Sequence, residues 1–423
     1  MRACFYLALA FLIFTAGVLA SQFHLLPATY YADAIEGGKA WIEKRRNFTT
    51  PVPQSDWIAA TSYKLGDRYG EVTGQSSEEN GYTLMAQRYG SALLLTDKRG
   101  LIVHSWHMPF FQAWPKPDYI DSPLPEDRIY IVSAYLYKNG DVLAVYQGYG
   151  DTPYGYGLLK LDKDSHLLWT FSQRAHHHVY AAHDGRIYAL TQQFVKIPDY
   201  DSGEQTDLVL ADTIVILSPT GKLEESIPIM DAFSDTPYQS FVHRKVVPHY
   251  DNTHVNTVMP LEPELASAFP MFKTGQLLVS LRNQSIIAVI DVGTRKVVWA
   301  TLGDWRFQHD AQFLPNGHIL LFDNRGLGTG RKGHSRILEY DPAAGHIALE
   351  NDGPFDEPFF TYKRGGVQKM DNGNYFAFLT GLAKAMEITP QGKVAWQQHV
   401  PDKALFFARH VKADYPEFLG DRK

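Results

Sequence analysis

His309-Asp-Ala-Gln-Phe-Leu-Pro-Asn-Gly317-His-Ile-Leu-Leu-Phe-Asp-Asn324, followed by Arg336-Ile-Leu-Glu-Tyr-Asp-Pro-Ala-Ala-Gly345, reads as strand, tight turn, strand, loop, strand, turn, strand. The Asn-Gly pair is expected to supply the positive φ angles of a two-residue hairpin, and the flanking apolar alternation gives a half-buried strand on each side. One such unit is a four-stranded antiparallel blade.

The unit recurs with a period of about fifty residues, the spacing of a β-propeller, whose blades cannot bury both faces alone. Third strands are apolar runs stopped by an acidic or Pro/Gly turn: Ala92–Asp97, Leu158–Asp162, Thr213–Pro219, Ile286–Asp291, Arg336–Asp341 and Ala385–Pro390. First hairpins turn at Asn139-Gly140, Asp184-Gly185, Thr274-Gly275, Asn316-Gly317 and Asn372-Gly373. The first unit lacks its inner strand, since Tyr82–Gln87 reads as a second strand. Phe406–Lys412 near the C-terminus reads as a first strand with nothing after it. Pairing the two ends closes the ring and removes exposed sheet edges. The expected fold is therefore all-β, a six-bladed β-propeller over 81–423, preceded by a helix and linker over 27–80 and a signal or anchor segment over 1–26.

The chain has 423 residues, of which 13% are aromatic, including 24 tyrosines, in keeping with rings filling the wedges between stacked sheets. A net charge of −6 with no basic block argues against a nucleic-acid partner, because phosphate binding needs clustered Lys and Arg. Cys4 is the only cysteine, so no intrachain disulfide can form. Ala3 to Ala20 carries no charge and follows Arg2. It reads either as a signal peptide cleaved after Val18-Leu-Ala20 or as an uncleaved transmembrane helix, and a run of about 18 apolar residues, long for a signal core, favours the anchor. Arg2 and the terminal amine orient such an anchor in a bacterial inner membrane with the propeller in the periplasm. Tyr30 to Lys44 reads as an amphipathic helix and Asn47 to Asp56 as a linker.

In a propeller the first strand of each blade lines the central channel. Aligned inner strands place His178, with His176 and His177 beside it, in the third blade, His254 in the fourth, His309 in the fifth and His410 in the closing strand. A single inner-strand histidine is ordinarily a hydrogen-bonded core residue. Four at one level predict a shared anion or metal site. Arg282 and Arg325 follow second strands near the same mouth, where a guanidinium can fork onto sulfate, phosphate or carboxylate oxygens or else form an inter-blade salt bridge. Asn256, two residues beyond His254, is placed to orient a ligand, whereas alternation turns Asp310 away from the His309 face. There is no phosphate loop, serine nucleophile elbow or cysteine metal spacing.

Thr253-His-Val-Asn-Thr257, Leu278-Val-Ser-Leu-Arg282, Phe307-Gln-His-Asp-Ala311, Leu321-Phe-Asp-Asn324 and Ser335–Tyr340 together resemble the bacterial arylsulfate sulfotransferases and their arylsulfotransferase-like relatives. The resemblance implies an exported propeller, without cofactor, that moves a sulfuryl group from an aryl sulfate ester to a phenolic acceptor. It implies that His254 and His309 hold the sulfate oxygens, with Arg325 a third contact. It departs from the family on the approach to the last inner strand, where Asn351 to Asp371 contains no histidine to carry a transient sulfuryl group. His177, His178 or His410 would then have to substitute. Two rivals stand beside this expectation of a small anionic or aryl ester ligand: a non-catalytic envelope propeller that scaffolds a protein partner or serves polysaccharide assembly, and a His-ligated metalloprotein.

Overall fold

The computed structural model describes residues 63–78, 81–87, 90–196, 208–244, 249–325, 334–400 and 405–420, with short pieces at 11–12 and 14–15. In chain order its strands are β1 (Glu71–Gly74), β2 (Tyr82–Gln87), β3 (Ala92–Asp97), β4 (Ile102–His107), β5 (Ile129–Leu136), β6 (Val142–Gly148), β7 (Gly155–Leu161) and β8 (Leu167–Phe171). They continue as β9 (Ala175–Ala181), β10 (Ile187–Lys196), β11 (Leu208–Leu217), β12 (Leu223–Pro228), β13 (Val255–Pro260), β14 (Leu277–Leu281), β15 (Ile286–Asp291) and β16 (Lys296–Leu302). The last are β17 (His309–Phe313), β18 (Ile319–Asp323), β19 (Arg336–Asp341), β20 (His346–Asn351), β21 (Gly366–Lys369), β22 (Tyr375–Leu379), β23 (Lys384–Ile388), β24 (Val394–His399) and β25 (Leu405–Val411). They form six antiparallel sheets, the blades of a propeller, with β25, β5, β9, β13, β17 and β21 innermost.

The ring is closed twice. β25 pairs with β2 on the inner edge of the first blade, Thr83 opposite His410. β1, inside the segment expected to be linker, instead adds a fifth strand to the last blade by pairing with the outer strand β24. Each chain end is thus strapped into the blade next to its own. Glu387 of β23 fastens the strap, accepting from Ser76 Oγ at 2.7 Å and Asn374 Nδ2 at 2.6 Å, and from the hydroxyl of Ser77.

The Asn-Gly turns use different geometry from the expected two-residue hairpin. At residues 137–141 only Gly140 has positive φ, its N–H donates to Tyr137 O at 3.0 Å, and Tyr137 N–H donates to Asp141 O at 2.8 Å. This is a turn followed by a glycine bulge. The asparagine earns its place through its side chain: Asn139 Oδ1 accepts from Asp141 N–H, and Asn316 and Asn372 repeat the contact.

Inner strands also carry bulges. His177 and His178 fall between the paired residues His176 and Val179, Asn256 between Val255 and Thr257, and Asp310 and Ala311 between His309 and Gln312. A bulge breaks the two-residue alternation and re-aims side chains. Rings pack the wedges between blades, as where Phe269 meets Phe313 at 4.7 Å and Trp305 meets Tyr340 at 5.5 Å. Phe269 and Phe272 come from the long β13–β14 connection, which therefore fills a wedge between blades. Among the described residues no helix is long and apolar enough to cross a membrane. The expected anchor falls almost wholly outside the described residues, and the helix at 30–44 and linker at 47–56 fall wholly outside them.

Candidate anion site at the channel mouth

The side chains at one mouth come from the N-terminal ends of inner strands, and their backbones are unusual. His254, just before β13, has φ 46°, His177 in the β9 bulge 54°, and Arg364, just before β21, 61°. Phe307 and Asp310, on either side of His309, have φ 54° and 58°. Left-handed non-glycine residues are uncommon and cost of order 1–3 kcal/mol, and they cluster where function needs an aimed side chain.

His177, His254, His309 and Arg364 line a cavity of about 320 Å³ with Tyr130, Tyr154, Arg282 and Lys363. The Arg282 guanidinium lies 4.2 Å from the centre of the Phe307 ring and donates to Asn283 Oδ1 at 2.6 Å. Arg364 lies 4.0 Å from the Phe406 ring and donates to Tyr130 Oη at 2.5 Å. Among the described residues neither guanidinium forms an ion pair with a carboxylate. Burial holds Arg282 below its ordinary pKa, opposed by the charge of Asp251. Two half-buried cations without a directly paired carboxylate are costly in an empty site and favourable around an anion.

Three imidazoles share the cavity, each with Nδ1 tied behind it. His254 Nδ1 is 2.5 Å from Asp251 Oδ2, and His309 Nδ1 is 2.7 Å from Phe307 O and 2.8 Å from Asn324 Oδ1. Asn324 Nδ2 donates to Thr361 O and Arg364 O, which fixes Oδ1 as the atom facing the ring. Carboxylate and carbonyl oxygens only accept, so Nδ1 carries the proton and Nε2 of His309 keeps its lone pair. Burial, then the charge of Arg282, pushes His309 down to about 3. Burial, then neighbouring His254 and His176, holds His177 well below the usual histidine range. The rings of His177 and His254 are 4.8 Å apart.

Below this mouth the channel narrows to a throat of about 50 Å³ bordered by His177, His178, Asn256, His309, Asp310 and Arg409. Asp310 and Arg409 pair across it through two oxygen–nitrogen contacts of 2.7 and 3.0 Å. Beyond lies a second chamber of about 410 Å³ at the opposite mouth, bordered by Tyr135, His178, Tyr180, Arg409, His410 and Tyr415.

The sequence-predicted residues are thus divided. His177, His254, His309 and Arg282 meet at the first mouth. His178 borders the throat and the second chamber, and burial, then Arg409, pushes it down to about 4. Asn256 borders the throat and donates to Gln308 O at 2.8 Å, bracing the neighbouring blade. His410 does not share the level expected of it. It is the sixth residue of β25, roughly 17 Å along the strand from Leu405 at about 3.4 Å per residue, and its Nε2 meets Glu78 at 2.8 Å. Arg325 does not reach the mouth either: its guanidinium is drawn to Glu350 at 2.6 Å and Asp352 at 2.8 Å. Asp310 borders the throat beside His309 because the bulge cancels alternation.

Arg364, Tyr154 and Asp251 were not singled out from sequence. Arg364 had a legible signal, since Arg364-Gly365-Gly366 opens the last inner strand as His254 opens β13; Asp251 and Tyr154 had none. Among the described residues, the groups of three or more metal-ligating side chains with ligand atoms within 4.8 Å are Asp162, Asp164, His166 and His183, Glu262, Glu264, both away from this cavity. The expected three- or four-imidazole metal centre is not assembled there.

Residues 133–400 match the family model described as arylsulfotransferase (ASST). None of the curated proteins matches the chain. A solved protein of unknown function from Bacteroides caccae has a similar fold, with TM-score 0.50 and 14% identity over 78% of this chain and 99% of that one. A virginiamycin B lyase from Staphylococcus aureus gives TM-score 0.38 and 10% identity over 64% and 70% of the two chains. A streptogramin B lyase gives 0.44 and 13% over 81% and 87%. At 14% identity the likeness to the Bacteroides caccae protein is one of fold alone.

Proposed function

The chain belongs to the arylsulfotransferase (ASST) family, and from that premise we propose that it transfers a sulfuryl group from an aryl sulfate ester to a phenolic acceptor in the cavity at the first mouth. The observation that carries this reading is the pair of guanidiniums, Arg282 and Arg364, converging without carboxylate partners beside His254 and His309. A loose sulfuryl transition state spreads charge over three equatorial oxygens, and fixed cationic donors stabilise it as clamps do in phosphoryl transfer. In this reading Arg282 and Arg364 take the cationic role that the resemblance implied for Arg325. Tyr130, Tyr149 and Tyr154 supply aromatic walls for the two aryl rings. A cavity of about 320 Å³ falls within the ~300–1,000 Å³ usual for small-molecule sites.

The test is incubation of purified protein with 4-nitrophenyl sulfate and phenol, following 4-nitrophenol release and phenyl sulfate by mass spectrometry. Phenyl sulfate formed by the wild type and lost in Arg282→Met/Arg364→Met supports the reading. Undiminished transfer by that double variant rejects it. The uncharged N-terminal run after Arg2 supports an inner-membrane location with the propeller in the periplasm, tested by the N-terminal sequence of protein recovered from membranes.

A further inference from the structure

Behind His177 lies a chain of groups that the resemblance does not assign. His177 Nδ1 is 2.8 Å from His176 Nδ1, and His176 Nε2 is 3.2 Å from Asp212 Oδ1. His176 and Asp212 are fully enclosed, and among the described residues neither of the two facing atoms has a hydrogen-bond partner, so their approach is a close contact that a small rotation of the ring would align. The other Asp212 oxygen accepts from Thr253 Oγ1 at 2.5 Å and Val255 N–H at 2.8 Å. Those residues flank His254, so one carboxylate from β11 holds the turn that aims His254 and also faces the ring behind His177. A buried carboxylate of this kind is expensive unless its neighbours need its charge.

The two contacts allow one consistent set of tautomers. A lone pair on His176 Nε2 would repel the carboxylate 3.2 Å away, so that nitrogen carries the proton and turns it toward Asp212. His176 Nδ1 must then accept, His177 Nδ1–H donates to it, and His177 Nε2 is left with its lone pair at the cavity. Burial keeps His177 neutral.

Resting on the transfer reading above, we propose that Asp212, His176 and His177 form a proton relay in which His177 is the base for the acceptor phenol and Asp212 the positioning residue. As the acceptor oxygen–sulfur bond forms and the donor aryl oxygen–sulfur bond breaks, the phenol proton passes to His177 Nε2. The His177 Nδ1 proton passes to His176 Nδ1, and the His176 Nε2 proton passes to Asp212 Oδ1. The donor leaves as aryloxide, and the charge it carries away is matched by the charge neutralised on Asp212. Return of the proton through the relay to the departing aryloxide, giving the phenol, restores the resting state. No covalent histidine is required, which accords with the absence of a histidine between Asn351 and Asp371.

Two variants separate position from proton passage. In Asp212→Asn the amide oxygen must still accept from Val255 N–H, so the amide N–H faces His176 Nε2 and reverses every bond of the relay. Nitrogen-15 spectra of histidine-labelled protein should show His177 protonated on Nδ1 in the wild type and on Nε2 in Asp212→Asn, a shift that general loosening would not produce. In His176→Gln the side-chain oxygen can accept from His177 and its N–H can donate to Asp212, keeping the His177 tautomer while interrupting proton passage. Both variants should lose about 100-fold or more in kcat, the contribution of a placed general base, with donor KM little changed. An unchanged His177 tautomer in Asp212→Asn, full kcat in His176→Gln, or a sulfuryl adduct trapped on His177 overturns the relay. Absence of transfer by the wild type overturns the function proposed above, while the tautomer measurement still decides the hydrogen-bond chain.

Discussion

Asp310 of β17 and Arg409 of β25 meet as a two-contact ion pair across the channel axis, at 2.7 and 3.0 Å, and divide it into two chambers. The Asp310 carboxylate also accepts from Val367 N–H at 2.9 Å, tying a third inner-strand element to the same point.

Arg409→Met leaves the Asp310 carboxylate enclosed with its guanidinium partner gone. Breaking such a buried pair costs about 3 kcal/mol, so the urea midpoint should fall. Replacing both partners, in Asp310→Asn/Arg409→Met, should cost less than the sum of the single changes. Additive losses in this cycle would show that the pair contributes nothing.

Arg282→Met should stabilise the empty protein while weakening anion binding. It removes a half-buried cation without a carboxylate partner and keeps a long side chain over Phe307. The gain expected is about 1 kcal/mol, read as a rise in Tm. A non-reactive aryl sulfonate should raise the Tm of the wild type and leave that of the variant nearly unchanged. A lower Tm in the variant without ligand would mean that the guanidinium is structural.

Stability should fall as pH drops from about 7 toward 3. Burial and neighbouring cations hold His309 down to about 3 and His178 to about 4. Their unfolded counterparts take up protons near the ordinary value of about 6.5. Between those values the unfolded chain binds more protons than the folded one, so each group lowers stability by up to about 1.4 kcal/mol per pH unit. The stability is fully present above the unfolded value. Urea titrations at stepped pH should show a shallower slope for His309→Asn than for the wild type, and an identical slope would refute the assignment.

Gly366→Ala should be far more damaging than Gly293→Ala. A Cβ at Gly366 would sit 2.5 Å from Asp310 Oδ2 and 2.5 Å from Phe378 Cε1, whereas the nearest contact at Gly293 is an ordinary 3.4 Å. Overpacking of this kind costs about 1–3 kcal/mol, and here it also pushes Asp310 away from Arg409. Equal Tm values for the two variants would contradict this.

The blade repeat could be read from sequence because its signals are local. An apolar run, an Asn-Gly turn and an acidic stop each act within a few residues, and Phe406–Lys412 lacked a partner strand that only Tyr82–Gln87 could supply. β1 is not legible because Glu71–Gly74 has no apolar alternation: Val72 alone packs against the core, and the strand is placed by its antiparallel pairing with β24. His254 and His309 were legible as openers of inner strands. Arg364 occupies the corresponding place in the last blade, just before β21, where an arginine stands in place of a histidine.

The order of strands, the six-fold repeat and the identity of the residues at the inner-strand entrances are carried by the amino-acid sequence alone. Which of those residues face one another was decided by tertiary structure. Bulges at His177–His178 and Asp310–Ala311 cancel the alternation from which facing is inferred, and left-handed backbone at His177, His254 and Arg364 turns their side chains in ways that spacing does not encode. Asp212 lies on the third strand of the blade whose inner strand carries His176, reaches that imidazole across the strand between them and also accepts from Val255 of the next blade, so its role arises from long-range contacts with no local trace.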